Sequence, residues 1–334
     1  MNVFDFSWRD YHDAYARDGW VHIRGGASPE TLTIAREAAA KVAAEQPLHG
    51  TGIKGAKEQF LFEFANSVDY GRELFDPLAA LTGLDRAAMT LSERHIKMYD
   101  ADADPRPNAH KDRLSSAIAV GISVEVPAGS HLVLYPLDDR FVNPFLSTGL
   151  RDSLEPDHLP EHVLRHAAEV EVHDAPGDVV VFPGSSMWHL RRNAAGTVNI
   201  YLKFNDFDSD PLGEDPSTHE RRAATLATLQ ANPGAIATAI PTISRRFDSV
   251  DRSYGRDRWV ESLAAIVWGQ PPVPISDAEF ALLQSLRGDE PVSSVVHSPE
   301  HGLDAGTAAR AIERLSARGV LDLVSGGVAA APAR

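Results

Sequence analysis

Hydrophobic and polar residues follow a helical pattern in the first quarter of the chain. Ser28 as N-cap and Pro29 in the first turn open an Ala-rich stretch that continues to Glu45 and predicts a helix. A short strand is expected just before it, over Trp20–Ile23, and a second helical region from Glu58 to Leu84.

From about Thr90 the pattern changes to short β-rich runs separated by Pro, Gly and Asp. A helical insertion over about Asp157–His166 interrupts them. Short strands that follow one another without helices are typical of an antiparallel barrel or sandwich. The predicted strands are Ser92–Tyr99, Ser116–Val126, His131–Tyr135, Glu169–His173, Val179–Phe182 and Val198–Phe204.

The last third of the chain predicts mainly helices. Two are expected over Thr218–Asn232 and Arg256–Trp268, followed by a proline-rich linker at Gln270–Pro274. Three more helices and a small hairpin beginning at Gly319 then give the pattern of a winged helix-turn-helix. These three helices are predicted over Asp277–Leu286, Val292–His297 and Ala305–Arg318.

The fold class is therefore mainly β with α, with N-terminal helices and a C-terminal helical and winged-helix-like region. We expect a first domain over residues 1–212 with a β core at about 90–206, a helical region and linker over 213–272, and a winged-helix-like domain over 273–334.

Composition places the chain in an ordinary class. Hydrophobic residues make up 43% and charged residues 24%, the balance of a water-soluble globular protein. We expect no transmembrane helix, because no apolar run is long enough. The acidic N-terminus lacks the apolar core of a signal peptide, so a cytoplasmic location is expected.

Charge argues against nucleic acid as a partner. The formal net charge is −15, and residues 275–334 contain five Arg, no Lys and eight acidic residues. For the C-terminal region we therefore expect a protein contact, such as a homodimer interface or the docking of a protein substrate. A ligand-sensing barrel with a DNA-binding tail is the alternative outside catalysis.

The absence of cysteine leaves His, Asp and Glu as the strong metal ligands. In His110-Lys111-Asp112 the first and third side chains share one side of an extended segment. One such triplet among 14 His is within chance expectation, so its position matters more: it follows a proline-rich turn and precedes a β run. His189 comes after a Pro-Gly-Asp turn and an apolar strand. Two His and one carboxylate can occupy one face of an octahedral iron and leave three positions open. The alternative for His189 is a core or surface histidine beside Trp188.

This order of motifs resembles the Fe(II)/2-oxoglutarate-dependent oxygenase superfamily, over roughly residues 90–206. The resemblance implies a double-stranded β-helix, or jelly roll. It also implies Fe(II) as cofactor, 2-oxoglutarate and O2 as co-substrates, and hydroxylation with release of succinate and CO2. The stretch 17–25 resembles the start of phytanoyl-CoA dioxygenase-like members, whereas the tail resembles the JmjC-type ribosomal oxygenases, so the subfamily stays open. A cupin-type metalloenzyme that does not use 2-oxoglutarate is the alternative within catalysis.

The resemblance also implies a basic residue, usually Arg, that pairs with the distal carboxylate of 2-oxoglutarate. The corresponding strand here carries Lys203 instead of Arg. The ammonium of a lysine offers one charge without the bidentate fork of a guanidinium, so it matches a carboxylate less well. Asn199 shares its face, and Lys97 on the strand before the triplet is a second candidate; a solvated strand face is the alternative. Polar residues flank the ligands and favour a polar small molecule, an amino acid or a peptidyl group as substrate: Arg113, Ser115, Trp188 and Arg191.

Overall fold

The structure is a computed structural model that describes residues 2–42, 57–64, 68–137, 139–146, 149–231, 233–255 and 261–325. Its chain forms two compact units, residues 1–205 and 206–334. The far ends of the predicted helices at Glu45 and Asn232, the start of the one at Arg256, and the residues after Ser325 lie outside the described residues.

The first unit contains nine described strands and five described α-helices, with short 3₁₀ turns at Trp8–Tyr11 and Pro156–His158 and a π-helical turn at Gly71–Phe75. The helices are α1 (His12–Asp18), α2 (Pro29–Val42), α3 (Asp76–Thr82), α4 (Leu150–Ser153) and α5 (Pro160–Val163). The strands are β1 (Val21–Ile23), β2 (Lys57–Leu61), β3 (Thr90–Tyr99), β4 (Ile118–Glu125), β5 (His131–Tyr135), β6 (Val170–Val172), β7 (Val179–Phe182), β8 (Trp188–Arg192) and β9 (Val198–Asn205).

These strands form two antiparallel sheets. The larger has the order β1-β7-β4-β9-β3-β2, and the smaller has the order β6-β5-β8. A backbone bridge between His110 and His189 adds a minimal fourth strand beside β8. Four strands, β3-β9-β4-β7, therefore face four others. This is the eight-strand, two-sheet arrangement of the jelly roll that the sequence predicts.

The two faces of the larger sheet have different chemistry because side chains alternate along each strand. Its outer face is apolar and packs against helices α2 and α3, with Val120, Ile122, Ile200 and Leu202 in one cluster. Its inner face packs against the smaller sheet through a second cluster that includes Ala119, Leu132, Leu134, Val180 and Phe182. The rest of the inner face of β3 and β9 is polar, and this part carries the candidate site.

Two predictions for the first unit need correction. The predicted helical region Glu58–Leu84 begins instead with a strand, since β2 pairs with β3 along its whole length, and α-helix begins only at Asp76. The strand β8 is absent from the predictions: its five residues lack a clear polar alternation, and pairing with β5 determines their conformation.

The second unit is a mixture of helices and small sheets. Its strands form a three-stranded sheet, β11-β12-β13, and a two-stranded sheet, β10-β14. The elements are α6 (Pro216–Gln230), α7 (Pro233–Thr238), β10 (Ile240–Ile243), β11 (Phe247–Tyr254), β12 (Glu261–Val267), β13 (Val273–Ile275), α8 (Asp277–Ser285), α9 (Val292–Val295), α10 (Ala305–Ala317) and β14 (Leu321–Val324).

Here the prediction of a helix over Arg256–Trp268 is wrong for its described part, which is β12, and the predicted linker contains the start of β13. The three helices of the expected winged helix are present as α8, α9 and α10. The strand after them pairs with β10, which precedes all three helices. The winged-helix assignment and the homodimer interface stay predictions. Among the described residues, no helix has the length and apolarity needed to span a membrane.

Candidate metal centre

The backbone brings the two predicted histidine ligands together. His110 and His189 are directly opposite each other, and each amide donates to the carbonyl of the other at 2.9 Å. Their rings therefore lie on the same face, with centroids 4.3 Å apart. Asp112 follows on that face two residues later. One ligand atom from each of His110, Asp112 and His189 lies within 4.8 Å of the other two.

A close backbone approach positions Asp112. Its amide donates to the carbonyl of Gly184 at 2.9 Å, at the turn that follows β7. A Cβ on Gly184 would lie 2.6 Å from Asp112 Oδ2 and 3.1 Å from the carbonyl oxygen of Ser116. Glycine at this position therefore leaves the space that the carboxylate occupies.

Hydrogen bonding selects the free nitrogen of His189. Nδ1 lies 3.0 Å from the carbonyl oxygen of Met187, so it donates there and Nε2 carries the lone pair. Nε2 lies 3.8 Å from Asp112 Oδ2. Burial is the main cause of a lowered pKa of His189, which favours the neutral imidazole that binds metals.

An ion-pair network holds the other oxygen of Asp112. Lys203 Nζ donates to Oδ1 at 2.9 Å and lies 3.1 Å from Oε2 of Glu93. Glu93 also accepts from Arg113 Nη1 at 3.3 Å. All the carboxylates in this network are buried, so each depends on its cationic partner for compensation.

The pKa values follow from these contacts. Burial by itself would raise the pKa of Asp112, but Lys203 and the two histidines outweigh it and hold that pKa well below its usual range. Burial likewise opposes ionisation of Glu93, yet Lys203 and Arg113 lower its pKa to about 2. The pKa of Lys203 is raised, since Asp112 and Glu93 outweigh its own burial. All three groups are charged at neutral pH.

The polar interior is arranged in levels along the larger sheet. Lys203 pairs in register with Glu93, Tyr201 with His95, and Asn199 with Lys97. Successive levels are about 6.6 Å apart, the rise of two strand residues. Lys203 therefore lies at the level of the metal ligands, whereas Lys97 and Asn199 lie at the deepest of the three levels.

Lys97 is a buried cation of a different kind. It is 6% exposed, and its ammonium lies over the ring of Tyr201, 4.5 Å from the centroid. Among the described residues, no carboxylate lies within ion-pair distance of it. Burial, and then the charge of Lys203, lower the pKa of Lys97.

Arg191, in contrast, already has a partner in the interior. It pairs with Asp174 at 2.6 Å and donates to Ser130 at 3.1 Å. With its amide turned so that the oxygen faces the guanidinium, Asn199 accepts from Arg191 at 3.3 Å. A cavity of about 10 Å³ beside these groups, roughly the volume of one water, is lined in part by Asp174, Arg191 and Tyr201.

The residues predicted to line a substrate pocket lie in different places. Arg113 is half-buried at the metal level, beside Glu93. Ser115 is fully buried, and its hydroxyl has no partner among the described residues. Trp188 faces away from the metal ligands and packs with Tyr135 and Leu150. The structure does not bring the four predicted substrate residues into one pocket.

The side chains on the other face of the ligand segment hold a neighbouring loop. Lys111 Nζ donates to the carbonyl of Phe141 at 2.8 Å, and Trp188 Nε1 donates to Asp139 Oδ2 at 2.6 Å. Asp139 has a φ of 46°, in the left-handed region. These contacts hold the segment that carries His110 and Asp112 on the face opposite the metal ligands.

Sequence reasoning did not assign three residues that shape the centre. Glu93 lies on the polar face of β3, where strand alternation places it together with Lys97, but the alternation gave it no role. Gly184 and Asp174 gave no such signal, because their importance comes from contacts with residues distant in sequence: Gly184 with Asp112 and Asp174 with Arg191.

No protein-family model matches this chain, and no curated protein matches it. Solved structures do match. The non-heme alpha ketoglutarate dependent epimerase SnoN from nogalamycin biosynthesis is 14% identical, with a TM-score of 0.44 over 60% of this chain and 81% of its own. EctD from S. alaskensis, solved with 2-oxoglutarate and 5-hydroxyectoine, is 14% identical, with a TM-score of 0.43 over 62% and 78%. A prolyl-4-hydroxylase from Pseudomonas putida is 15% identical, with a TM-score of 0.40 over 59% and 98%.

Another match is described as a member of the 2OG-Fe(II) oxygenase family. This is the superfamily whose motif order the sequence resembles.

Proposed function

We propose that this chain is a non-haem Fe(II)- and 2-oxoglutarate-dependent oxygenase that hydroxylates a polar small molecule, an amino acid or a peptidyl group. The observation that carries the proposal is the convergence of His110, Asp112 and His189, whose ligand atoms lie within 4.8 Å of one another. Two imidazoles and one carboxylate on a rigid pair of strands, with open positions beyond them, are the donor set of non-haem Fe(II) oxygenases.

The three ligand atoms converge on one position. Ligand atoms about 2.1 Å from one metal and at right angles to each other are roughly 3 Å apart. His189 Nε2 and Asp112 Oδ2 are 3.8 Å apart and all three ligand atoms lie within 4.8 Å of one another, so a bound ion would draw them slightly closer. The hydrogen bond from Nδ1 of His189 to Met187 leaves Nε2 free to bind. Bound there, Fe(II) with 2-oxoglutarate would supply the O2 activation that hydroxylation needs, with 2-oxoglutarate leaving as succinate and CO2.

The chain's own residues would hold and orient the co-substrate. Lys97 is the described interior cation without a carboxylate partner, and a buried ammonium of this kind favours an anionic ligand. Asn199 lies beside it at the same level. Lys203, the other candidate, already contacts two carboxylates. We therefore assign the distal carboxylate of 2-oxoglutarate to Lys97, with Asn199 as a neighbouring polar group.

Exclusion of water is the second task of the barrel. Leu132, Leu134, Val180 and Phe182 form an apolar wall between the two sheets next to the polar levels. Such a wall lowers the local dielectric and strengthens each ionic contact inside. It also limits the access of bulk water to the metal face.

Anaerobic titration tests this function. The wild-type protein should develop a visible charge-transfer band when Fe(II) and 2-oxoglutarate are added together, and His110→Ala should lose it. His12→Ala is the matched control, because His12 is an exposed histidine at the start of helix α1. This variant should keep the band. Folded wild-type protein without a band would contradict the proposal, whereas Fe(II) binding that 2-oxoglutarate does not alter would favour a cupin-type metalloenzyme.

The class of substrate has a separate test. Arg113 is the one predicted substrate residue that is partly exposed at the metal level, and a polar side chain at this place supports a polar substrate. Arg113→Ala should lower the succinate formation that polar substrates stimulate, relative to Arg106→Ala in the exposed turn before His110. Equal stimulation in both variants would remove the basis for a polar substrate.

A further inference from the structure

The relation between Lys203 and Asp112 has a specific geometry. The carboxylate of Asp112 uses its two oxygens differently: Oδ1 accepts from Lys203 at 2.9 Å, while Oδ2 is the oxygen nearer His189 Nε2, at 3.8 Å. Both side chains are buried. The ammonium therefore occupies one oxygen of a metal-binding carboxylate and leaves the other oxygen facing the histidines.

Lys203 itself is held in place by Glu93, which it contacts at 3.1 Å. Three further groups fix Glu93. Arg113 lies at 3.3 Å, the hydroxyl of Ser116 at 3.4 Å, and Nδ1 of His95 at 3.5 Å. A lysine has a long and flexible side chain, so this second carboxylate is needed to define where its ammonium lies.

We propose that Lys203 is a positioning residue of the metal centre, whose ammonium holds Oδ1 of Asp112 so that only Oδ2 binds the metal. This inference rests on the metal-binding part of the proposed function. A free carboxylate can bind an ion with one oxygen or with both. Restriction to one oxygen keeps a coordination position open for other ligands of the metal.

Charge and orientation predict opposite effects for loss of this lysine. Lys203 is a cation next to the metal position, so on charge alone its removal should tighten the binding of a divalent ion. Loss of a group that orients a metal ligand typically weakens metal binding by about 10- to 100-fold. The direction of the change in affinity therefore separates a positioning role from a purely electrostatic one.

Binding of Co(II) to the full-length protein without 2-oxoglutarate gives both an affinity and a ligand-field spectrum. We expect Lys203→Met to bind Co(II) at least about 10-fold more weakly than wild type, with an altered visible spectrum at saturation. Lys203→Arg, which keeps a cationic donor, should restore most of the affinity and the wild-type spectrum.

Arg192→Met is the control. It also removes a cation from the first unit, but Arg192 pairs with Glu169 at 2.7 Å and with Glu171 at 3.4 Å and has no part in the proposed site. It should leave the Co(II) affinity and the spectrum unchanged.

Unchanged or tighter Co(II) binding by Lys203→Met, with the wild-type spectrum, would overturn the positioning role. If Lys203→Met does not fold, as circular dichroism would show, Lys203→Gln provides the same comparison with a smaller side chain and the same expected loss. Failure of the wild-type protein to bind Co(II) would instead contradict the proposed function itself. The two failures are therefore distinguishable.

Discussion

Gly184 and Asp112 approach each other so closely that a side chain at 184 would collide with the carboxylate: a Cβ there would lie 2.6 Å from Oδ2 of Asp112. The nearest neighbours on the other sides are the carbonyl oxygen of Ser116 at 3.1 Å and Cβ of Ala119 at 3.3 Å. Because backbone and strand surround the position, the carboxylate is the group that has to move. Glycine at 184 is thus part of the metal centre although it has no ligand atom.

We therefore expect Gly184→Ala to weaken Co(II) or Fe(II) binding by about 10-fold or more, as for other changes that displace a ligand. Isothermal titration with Co(II) measures the effect. Gly306→Ala, in helix α10 of the second unit, is the control and should bind like wild type. Wild-type affinity in Gly184→Ala would show that the carboxylate tolerates the displacement.

The assignment of Lys97 to the distal carboxylate predicts a change in ligand preference. In the wild-type protein loaded with Fe(II), 2-oxoglutarate should bind more tightly than 2-oxobutyrate, a keto acid of similar chelating chemistry that lacks the distal carboxylate. Lys97→Met should lose most of this preference, because no ammonium remains at the deepest level. Anaerobic titration of the charge-transfer band gives both affinities.

Lys97→Arg serves as the control, since it keeps a cation that can bind a carboxylate. A preference for 2-oxoglutarate that survives unchanged in Lys97→Met would assign the carboxylate to another cation. The metal affinity of the same variant, measured with Co(II), should stay close to that of wild type.

The lowered pKa of Glu93 predicts how the free energy of unfolding changes at acidic pH. Its pKa is about 2 in the folded protein, below the ordinary 4.5, because the nearby cations outweigh the effect of burial. A carboxyl whose pKa is depressed by folding stabilises the folded state above its unfolded pKa. That contribution, about 3 kcal/mol for a shift of this size, is lost as pH falls from about 4.5 to about 2.

Glu93→Gln should therefore be less stable than wild type at pH 7, and the difference should shrink as pH falls below about 4.5. Urea unfolding at a series of pH values measures it. Glu171→Gln changes an exposed carboxylate of the smaller sheet and is the comparison. A difference in stability that stays constant from pH 7 to pH 3 would contradict the role given to the ionised Glu93.

The metal ligands could be predicted from the sequence because their order and spacing follow the strands. His131–Tyr135 and Val179–Phe182 have the same bounds in the prediction and in the structure, since each is a short apolar run between turns. His189 follows the second of these strands and the turn after it, which placed it near the His-x-Asp triplet although strand β8 was not predicted. The triad that the sequence predicts lies together in the structure.

The role of Lys203 could not be predicted in the same way. Alternation along β9 correctly puts Lys203, Tyr201 and Asn199 on one face, but it does not tell which level of the barrel each reaches. The partner of Lys203 is Asp112, 91 residues earlier. The contact with Asp112 shows that Lys203 lies beside the metal ligands, and the register of β9 against β3 shows that Lys97 lies two levels away.

The incorrect prediction of a helix over Arg256–Trp268 also comes from contacts between strands that the local sequence does not show. The run from Glu261 to Val267 contains two alanines, which favour a helix by intrinsic propensity. In the structure Leu263, Ala265 and Val267 are all buried on one face of β12. Pairing with β11 on one side and β13 on the other outweighs the local preference.

The ion pair between Arg191 and Asp174 gives a last prediction, on stability. Both side chains are almost fully buried, and their charged atoms are 2.6 Å apart. Removal of one charge from a buried pair leaves the other uncompensated, which typically costs about 3–5 kcal/mol. We therefore expect Asp174→Asn to lower the free energy of unfolding by about 3 kcal/mol, as measured by urea unfolding with tryptophan fluorescence.

Asp18→Asn removes a charge from the exposed pair with Arg17 and should leave the unfolding midpoint unchanged. The double variant Arg191→Met/Asp174→Asn should lose less stability than Asp174→Asn alone, because it contains no unpaired buried charge. A double variant that loses as much stability as Asp174→Asn or more would contradict the pairing of Arg191 with Asp174, because the guanidinium would then not depend on that carboxylate for compensation.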